Sequence, residues 1–202
     1  MTERMDIFTR NVPGMTARLR SATVAVAGCG GLGSNVAVAL ARAGVGRLIL
    51  ADRDVVEASN LNRQIFFLGD IGRRKVEATA AHLHNIRTDL DLVLHDLMVT
   101  PDNTASLFGD AEILVEAFDD AGEKIRLIEA WTRAFPDRFI VCGNGLAGYG
   151  RTGDLKVVRT GRIVFCGDME SDMSGGLAAP RVLTVAAMQA NVVVELLMGG
   201  SP

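Results

Sequence analysis

Six residues, Gly28-Cys29-Gly30-Gly31-Leu32-Gly33, match the pattern G-x-G-x-x-G. A short apolar, β-branched run precedes them and a helical pattern follows, which is the setting this pattern requires. Glycines let the backbone turn sharply and approach a phosphate closely. The helix start behind them offers free N–H groups and a partial positive charge. Gly28, Gly30, Gly31 and Gly33 are therefore candidate phosphate-binding residues. Asp52 ends the next apolar run, about twenty residues on, where a carboxylate accepts hydrogen bonds from ribose hydroxyls. Alone, this would point to a dinucleotide. The stretch DRDVVEASNLNRQ (52–64) changes that expectation by adding Asp54, Asn60, Arg63 and Gln64, with Lys75 shortly after. Arginine grips phosphate oxygens through parallel hydrogen bonds and lysine adds a point charge. That is more cationic contact than a diphosphate bridge uses, and it suits a triphosphate. A glycine turn used only for packing, followed by a solvated polar loop, is the plainer alternative.

The elements that must position these residues can be read from the apolar pattern. Strands are expected at 23–27, 47–51, 90–94, 113–117 and 139–142. Helices are expected at 32–43, where Gly44 is the stop, and at 73–87, 103–108 and 122–134. The loop 54–72 separates the second strand from its helix. After 143 the chain is punctuated by glycines, with a hairpin at 155–158 and 163–165 and a long, nearly uncharged helix at 182–198 preceded by Pro180. Alternating strands and helices predict an α/β fold: a Rossmann-like, doubly wound, mostly parallel sheet extended by antiparallel strands. One domain is expected over 1–202, with an N-terminal arm (about 1–20), a nucleotide-binding part (about 21–143) and a C-terminal part (about 144–202).

Composition narrows the function classes. The charge sum is 21 − 24 = −3, and no basic block is present, which disfavours nucleic-acid binding. Apolar residues make up 49% of the chain, enough for a sizeable core. Three cysteines without a CxxC pair argue against a disulfide framework or a four-cysteine zinc site, and free thiols suit a reducing, cytoplasmic setting. The first residues lack the apolar stretch of a signal peptide. The uncharged stretch 23–41 approaches membrane-span length, but its central glycines fit a strand, turn and helix better than a span, so no membrane association is expected.

GCGGLG, DRDVVEASNLNRQ and the later Lys75 resemble the ThiF/MoeB/HesA family, relatives of the ubiquitin-activating enzymes, over nearly the whole chain. TRNVPGM, EAFDDAGEK, and CGD followed by GGLAAPR are similar to short family members associated with thiamine biosynthesis. The resemblance implies ATP with Mg2+, and activation of the C-terminal glycine carboxylate of a small, ubiquitin-like, ThiS-like sulfur carrier as an acyl-adenylate with release of pyrophosphate. An unidentified sulfur donor would then give the thiocarboxylate. By matching positions, Gly28, Gly30 and Gly33 would line the phosphates and Asp52 would hold the ribose. Asn60, Arg63, Gln64 and Lys75 would surround the triphosphate, and Asp119 would approach magnesium. Arg63, Lys75 and Asp119 are the catalytic candidates. Arg10 matches an N-terminal arginine that reaches the nucleotide of a partner subunit, so a homodimer is implied.

Several assignments stay open at this stage. Asp119 follows an apolar strand, so a helix N-cap is the alternative to a metal ligand, and Asp120 and Glu116 are secondary candidates. The zinc-binding CxxC pairs of larger family members are absent, so no zinc is expected. Cys29 and Cys142 read as structural, which leaves Cys166 as the one candidate reactive thiol. The glycine-rich segment 143–153 reads either as a groove for an extended carrier tail or as turns between strands. Arg181 is a candidate contact for the carrier or another subunit. Two rival functions remain. An NAD-dependent oxidoreductase could use the same glycine turn, but no nicotinamide-side acid or base stands out. A non-catalytic nucleotide-binding scaffold would not need Arg63, Lys75 and Asp119.

Overall fold

The computed structural model describes residues 7–200. Its strands are β1 (Thr23–Ala27), β2 (Arg47–Asp52), β3 (Asp91–Asp96), β4 (Ile113–Glu116), β5 (Phe139–Gly143), β6 (Lys156–Thr160) and β7 (Ile163–Gly167). They form one sheet in the order β3-β2-β1-β4-β5-β7-β6. The helices are α1 (Met15–Arg20), α2 (Gly33–Ala43), α3 (Lys75–Ile86), α4 (Pro101–Phe108), α5 (Ala121–Ala134) and α6 (Ala179–Leu197).

β1, β2, β4 and β5 are apolar on both faces because each face is covered, the usual condition of parallel strands. Alternate residues separate the two cores. Val24, Val26, Leu48 and Leu50 meet α2, α3 and α6. Ala25, Ala27, Ile49 and Ala51 meet α4 and α5, where the small alanines leave room for Phe108, Leu127 and Trp131. Trp131 is fully buried, and its indole N–H donates to Phe139 O at 3.2 Å. The chain runs outward from β1 to β2 and β3, then returns to place β4 on the other side of β1. That reversal opens a crevice at the carboxyl ends of β1 and β4, where open α/β sheets bind ligands.

The expected doubly wound, mostly parallel sheet is present. Within the hairpin, β7 lies parallel to β5 (Gly143 opposite Cys166), and β6 pairs antiparallel with β7 as the outer edge. β6 is exposed along its whole length, with Lys156 and Arg159 on it as charges that discourage edge pairing. Helix starts differ from the apolar pattern. α4 begins at Pro101 because Thr100 caps it, accepting from Asn103 N–H while Asn103 Oδ1 accepts from Thr100 N–H. α6 takes Pro180 into its first turn. α6 is long and apolar enough to cross a membrane by length and composition, yet half of it is buried in the protein. It packs along α2 and sends Gln189 to Glu116 O and Val141 O.

Candidate functional site

The glycine turn joins β1 to α2, and its members differ in role. Gly28 has φ 96°, and a Cβ there would lie 2.8 Å from Ala117 O. At Gly33 a Cβ would lie 1.8 Å from Gly28 O. These two glycines make the turn possible. Gly30 faces open space, and a Cβ there would meet only Gln64 Nε2 at 3.9 Å. No side chain caps α2; in its first turn Ser34 N–H donates to Gly30 O at 3.1 Å.

Asp52 is set at the end of β2 by two backbone donors: Cys29 N–H to Oδ2 at 2.6 Å and Asp54 N–H to Oδ1 at 2.8 Å. Burial pushes its carboxyl pKa up, against the pull of those amides and Lys75. Lys75 returns to Asp52's side because residues 54–56 and 72–75 pair with each other. Lys75 N–H donates to Asp54 O at 2.9 Å, and Val55 bridges Arg74. Lys75 is 8% exposed, and its ammonium sits 2.8 Å from Asp54 Oδ2.

The loop after β2 is a 3-10 turn at Ala58–Asn60. Asn60 is buried, and its Oδ1 accepts Glu57 N–H at 3.0 Å, so its amide shapes the loop. Arg63 leans past Gly31 and donates to Ser59 O at 3.0 Å and Asn62 Oδ1 at 2.8 Å; among the described residues no carboxylate pairs with it. Gln64 Oε1 is buried without a hydrogen-bond partner. Such an atom carries a desolvation cost unless a ligand or water donates to it.

These residues surround one cavity of about 850 Å³, large enough for a nucleoside triphosphate. Gly30, Gly31, Asp52, Asp54, Asn60, Arg63, Gln64, Lys75 and Asp119 all line it; Gly28 and Gly33 stand behind as the turn. Asp119 is exposed, and its carboxylate makes no hydrogen bond among the described residues. Its neighbours are committed to structure. Asp120 caps α5 by accepting Glu123 N–H at 2.7 Å. Glu116 is fully buried; its Oε1 accepts Phe118 N–H at 2.7 Å and its Oε2 pairs with Lys124. Burial pushes Glu116's pKa up and Lys124 opposes this. The two secondary metal candidates are thus a cap and a buried brace.

Sequence reading missed Lys124, which lines the cavity and also donates to Gly143 O at 2.9 Å. On an amphipathic helix it looks like any solvated lysine; its partner Glu116 ends a buried strand, which was the available signal. Leu97, Met98, Val99 and Phe118 form an apolar end to the cavity. Gly143 to Ala147 form part of its wall, and a second cavity of about 550 Å³, which shares Ala147, Ser171 and Asp172 with it, continues past Tyr149.

Three candidates move. Cys166 is fully buried in β7 and burial pushes its thiol up to about 12, so the structure removes it as a reactive thiol. Arg181 is no surface contact. It is buried, paired with Asp168, and donates to Gly150 O at 2.7 Å. Arg10 is not brought to the cavity of its own chain. Its segment is fixed at the amino ends of the strands, where Asn11 Nδ2 donates to Ala43 O at 2.9 Å and Phe8 packs at Gly44. Among the described residues no group of three or more His, Cys, Asp or Glu is placed to hold a metal ion. A lone carboxylate beside a phosphate site is the donor set for magnesium carried on a nucleotide.

Known proteins resemble this chain in sequence and in fold. The chain is 31% identical over 207 residues to the sulfur carrier protein ThiS adenylyltransferase of Bacillus subtilis, matching 97% of this chain and 60% of that protein's length. It is 35% identical over 113 residues to the B. subtilis tRNA threonylcarbamoyladenosine dehydratase, covering 55% of this chain and 44% of that protein. The fold matches the E. coli tRNA N6-threonylcarbamoyladenosine dehydratase TcdA, solved in complex with ATP, with a TM-score of 0.86 at 23% identity, covering 96% and 92% of the two chains. The ThiF family matches residues 5–201, and the chain belongs to that family.

Proposed function

We propose that this chain is an ATP-dependent adenylyltransferase that activates the C-terminal glycine carboxylate of a ThiS-like, ubiquitin-fold sulfur carrier, in the thiazole branch of thiamine biosynthesis. The observation that carries this reading is a single cavity. It joins a phosphate-sized gap at Gly30, a set carboxylate at Asp52, the cations of Arg63 and Lys75, and the glycine-rich wall from Gly143 to Ala147. A carboxylate presented along that wall arrives beside the phosphates. The ThiS adenylyltransferase relative supports the choice of substrate.

An α-carboxyl group ionises with a pKa of about 3.3–3.7, so the attacking group needs no base at neutral pH. It needs its charge offset and its line of attack fixed. Asp52 would hold the ribose. Arg63 and Lys75 would offset charge on the triphosphate as a carboxylate oxygen bonds to the α-phosphorus and the bond to pyrophosphate breaks. Gln64, with its amide nitrogen toward Gly30, would donate that N–H to a phosphate oxygen. Asp119 would hold Mg2+, which when bound supplies further neutralisation of the phosphates. A homodimer is part of the proposal, since Arg10 can serve a nucleotide site only on another copy of the chain.

A second reading is a tRNA-directed role like that of the dehydratase relative. The net charge of −3 weighs against it. The test is ATP–pyrophosphate exchange with ThiS-like carriers and with tRNA as alternative stimulants. Exchange that requires a carrier with its C-terminal glycine is expected. Asp119→Asn should abolish it, while Asp120→Ser, which keeps the helix cap, should retain it. Exchange stimulated by tRNA alone would overturn the carrier assignment.

A further inference from the structure

The cavity crosses the carboxyl edge of the sheet from one face to the other. The loops after β1 and β2 lead to α2 and α3 and carry Gly30, Arg63 and Lys75. The loops after β3 and β4 lead to α4 and α5 on the opposite face and carry Leu97, Met98, Val99 and Phe118. Asp52 stands between the two ends. With phosphates at the cationic end and ribose at Asp52, the base falls in the apolar end.

A belt of charge runs over that end. Arg53 Nη2 donates to Glu123 Oε1 at 3.1 Å, which joins the end of β2 to the first turn of α5. β1 lies between β2 and β4 in the sheet, so this pair bridges across its end. Arg74 braces the belt. It donates to Arg53 O at 3.0 Å and pairs with Asp96, at the end of β3, at 2.7 Å. Both Arg53 and Glu123 line the cavity. The Arg53 side chain is 49% exposed and that of Glu123 21%, and an ion pair with one member so exposed contributes little to folding.

We propose that Arg53 and Glu123 form a clasp over the base end of the nucleotide site, and that this clasp makes the protein hold a nucleoside triphosphate rather than a bare polyphosphate. A guanidinium is planar, permanently charged and weakly hydrated, so it stacks on a ring while its edge stays hydrogen-bonded. Glu123 holds that edge, and the apolar floor excludes water below. The clasp must open for the base to enter, and closed it retains the base. The inference rests on the ATP reading above and adds two residues outside the glycine turn and the triphosphate cations.

The test is calorimetry on the full chain near physiological ionic strength, with ATP–Mg and inorganic tripolyphosphate as separate ligands. The variants are Arg53→Met, Glu123→Gln and the double variant. Arg53→Met should weaken ATP binding about tenfold, comparable to one lost charge-assisted contact. Glu123→Gln should weaken it in the same direction, and the double variant should be no weaker than Arg53→Met. Tripolyphosphate affinity should not move. Equal losses for both ligands would mean a general charge effect and overturn the clasp. Unchanged ATP affinity, or losses that add in the double variant, would overturn it too. A wild-type chain that binds no ATP would instead remove the nucleotide reading itself.

Discussion

Gly30 and Gly33 belong to one motif and do different work. A methyl group at 33 meets Gly28 O at 1.8 Å, whereas one at 30 points into space that a phosphate would use. Gly33→Ala should therefore destabilise the fold by about 1–3 kcal/mol, the usual cost of overpacking. Gly30→Ala should change stability by less than about 1 kcal/mol while weakening ATP binding at least tenfold. Urea unfolding and calorimetry on the same preparations separate the two effects. The motif, Asp52, Arg63 and Lys75 are legible in the sequence because their types and spacing carry the chemistry. The division of labour among the glycines is not legible, because it depends on how the turn folds Gly28 O against Gly33 and on Ala117 and Gln64, which only the fold brings near. The same limit applies to Cys166. The expected strand stops at Phe165, one residue short of it, and only its place inside β7 shows a buried thiol.

At the scale of elements, the strands are visible as apolar runs, apart from the exposed β6 with its Lys156 and Arg159, but their neighbours are not. The hairpin at 155–165 predicts that its two strands pair with each other. It does not reveal that β7 docks on β5, since that contact joins segments about two dozen residues apart through loops with no periodicity. What holds this region is an ion pair hidden from sequence. Asp168 begins the loop after β7 and Arg181 lies in the first turn of α6. Asp168 Oδ1 accepts the N–H groups of Glu170 and Ser171, both at 2.8 Å. Arg181 reaches Gly150 O, so the pair fastens the glycine-rich wall to α6. Burial alone would raise the Asp168 pKa, but the amides of Ser171 and Glu170, the Ser171 hydroxyl and Arg181 outweigh it and hold the carboxyl well below its ordinary range. Asp168→Asn should cost about 3–5 kcal/mol, as expected when one member of a buried pair is lost. A carboxylate with a depressed folded pKa stabilises fully above its unfolded value of about 3.9 and loses that stabilisation as pH falls below it. The stability gap between wild type and Asp168→Asn should accordingly be flat from pH 7 to about 5 and narrow below about 4. A gap independent of pH would show that the ionised carboxylate is not what fastens the wall.

For the molecule as a whole, the order β3-β2-β1-β4-β5 sets the site: the chain reverses direction across the sheet at β1, and the cavity opens there. One face supplies Arg63 and Lys75 and the other Leu97, Met98, Val99 and Phe118, so a single extended nucleotide would span both under the proposed reading. Arg10 is exposed and is not among the residues that line this cavity, so its proposed role requires a second chain. The central claim is that the site takes a triphosphate rather than a dinucleotide. Calorimetry comparing ATP–Mg with NAD on one preparation tests it most directly, with Arg63→Ala as the companion variant. The account predicts that ATP binds, that NAD does not compete, and that Arg63→Ala weakens ATP about tenfold or more. NAD binding without ATP binding, or ATP affinity indifferent to Arg63, would contradict it.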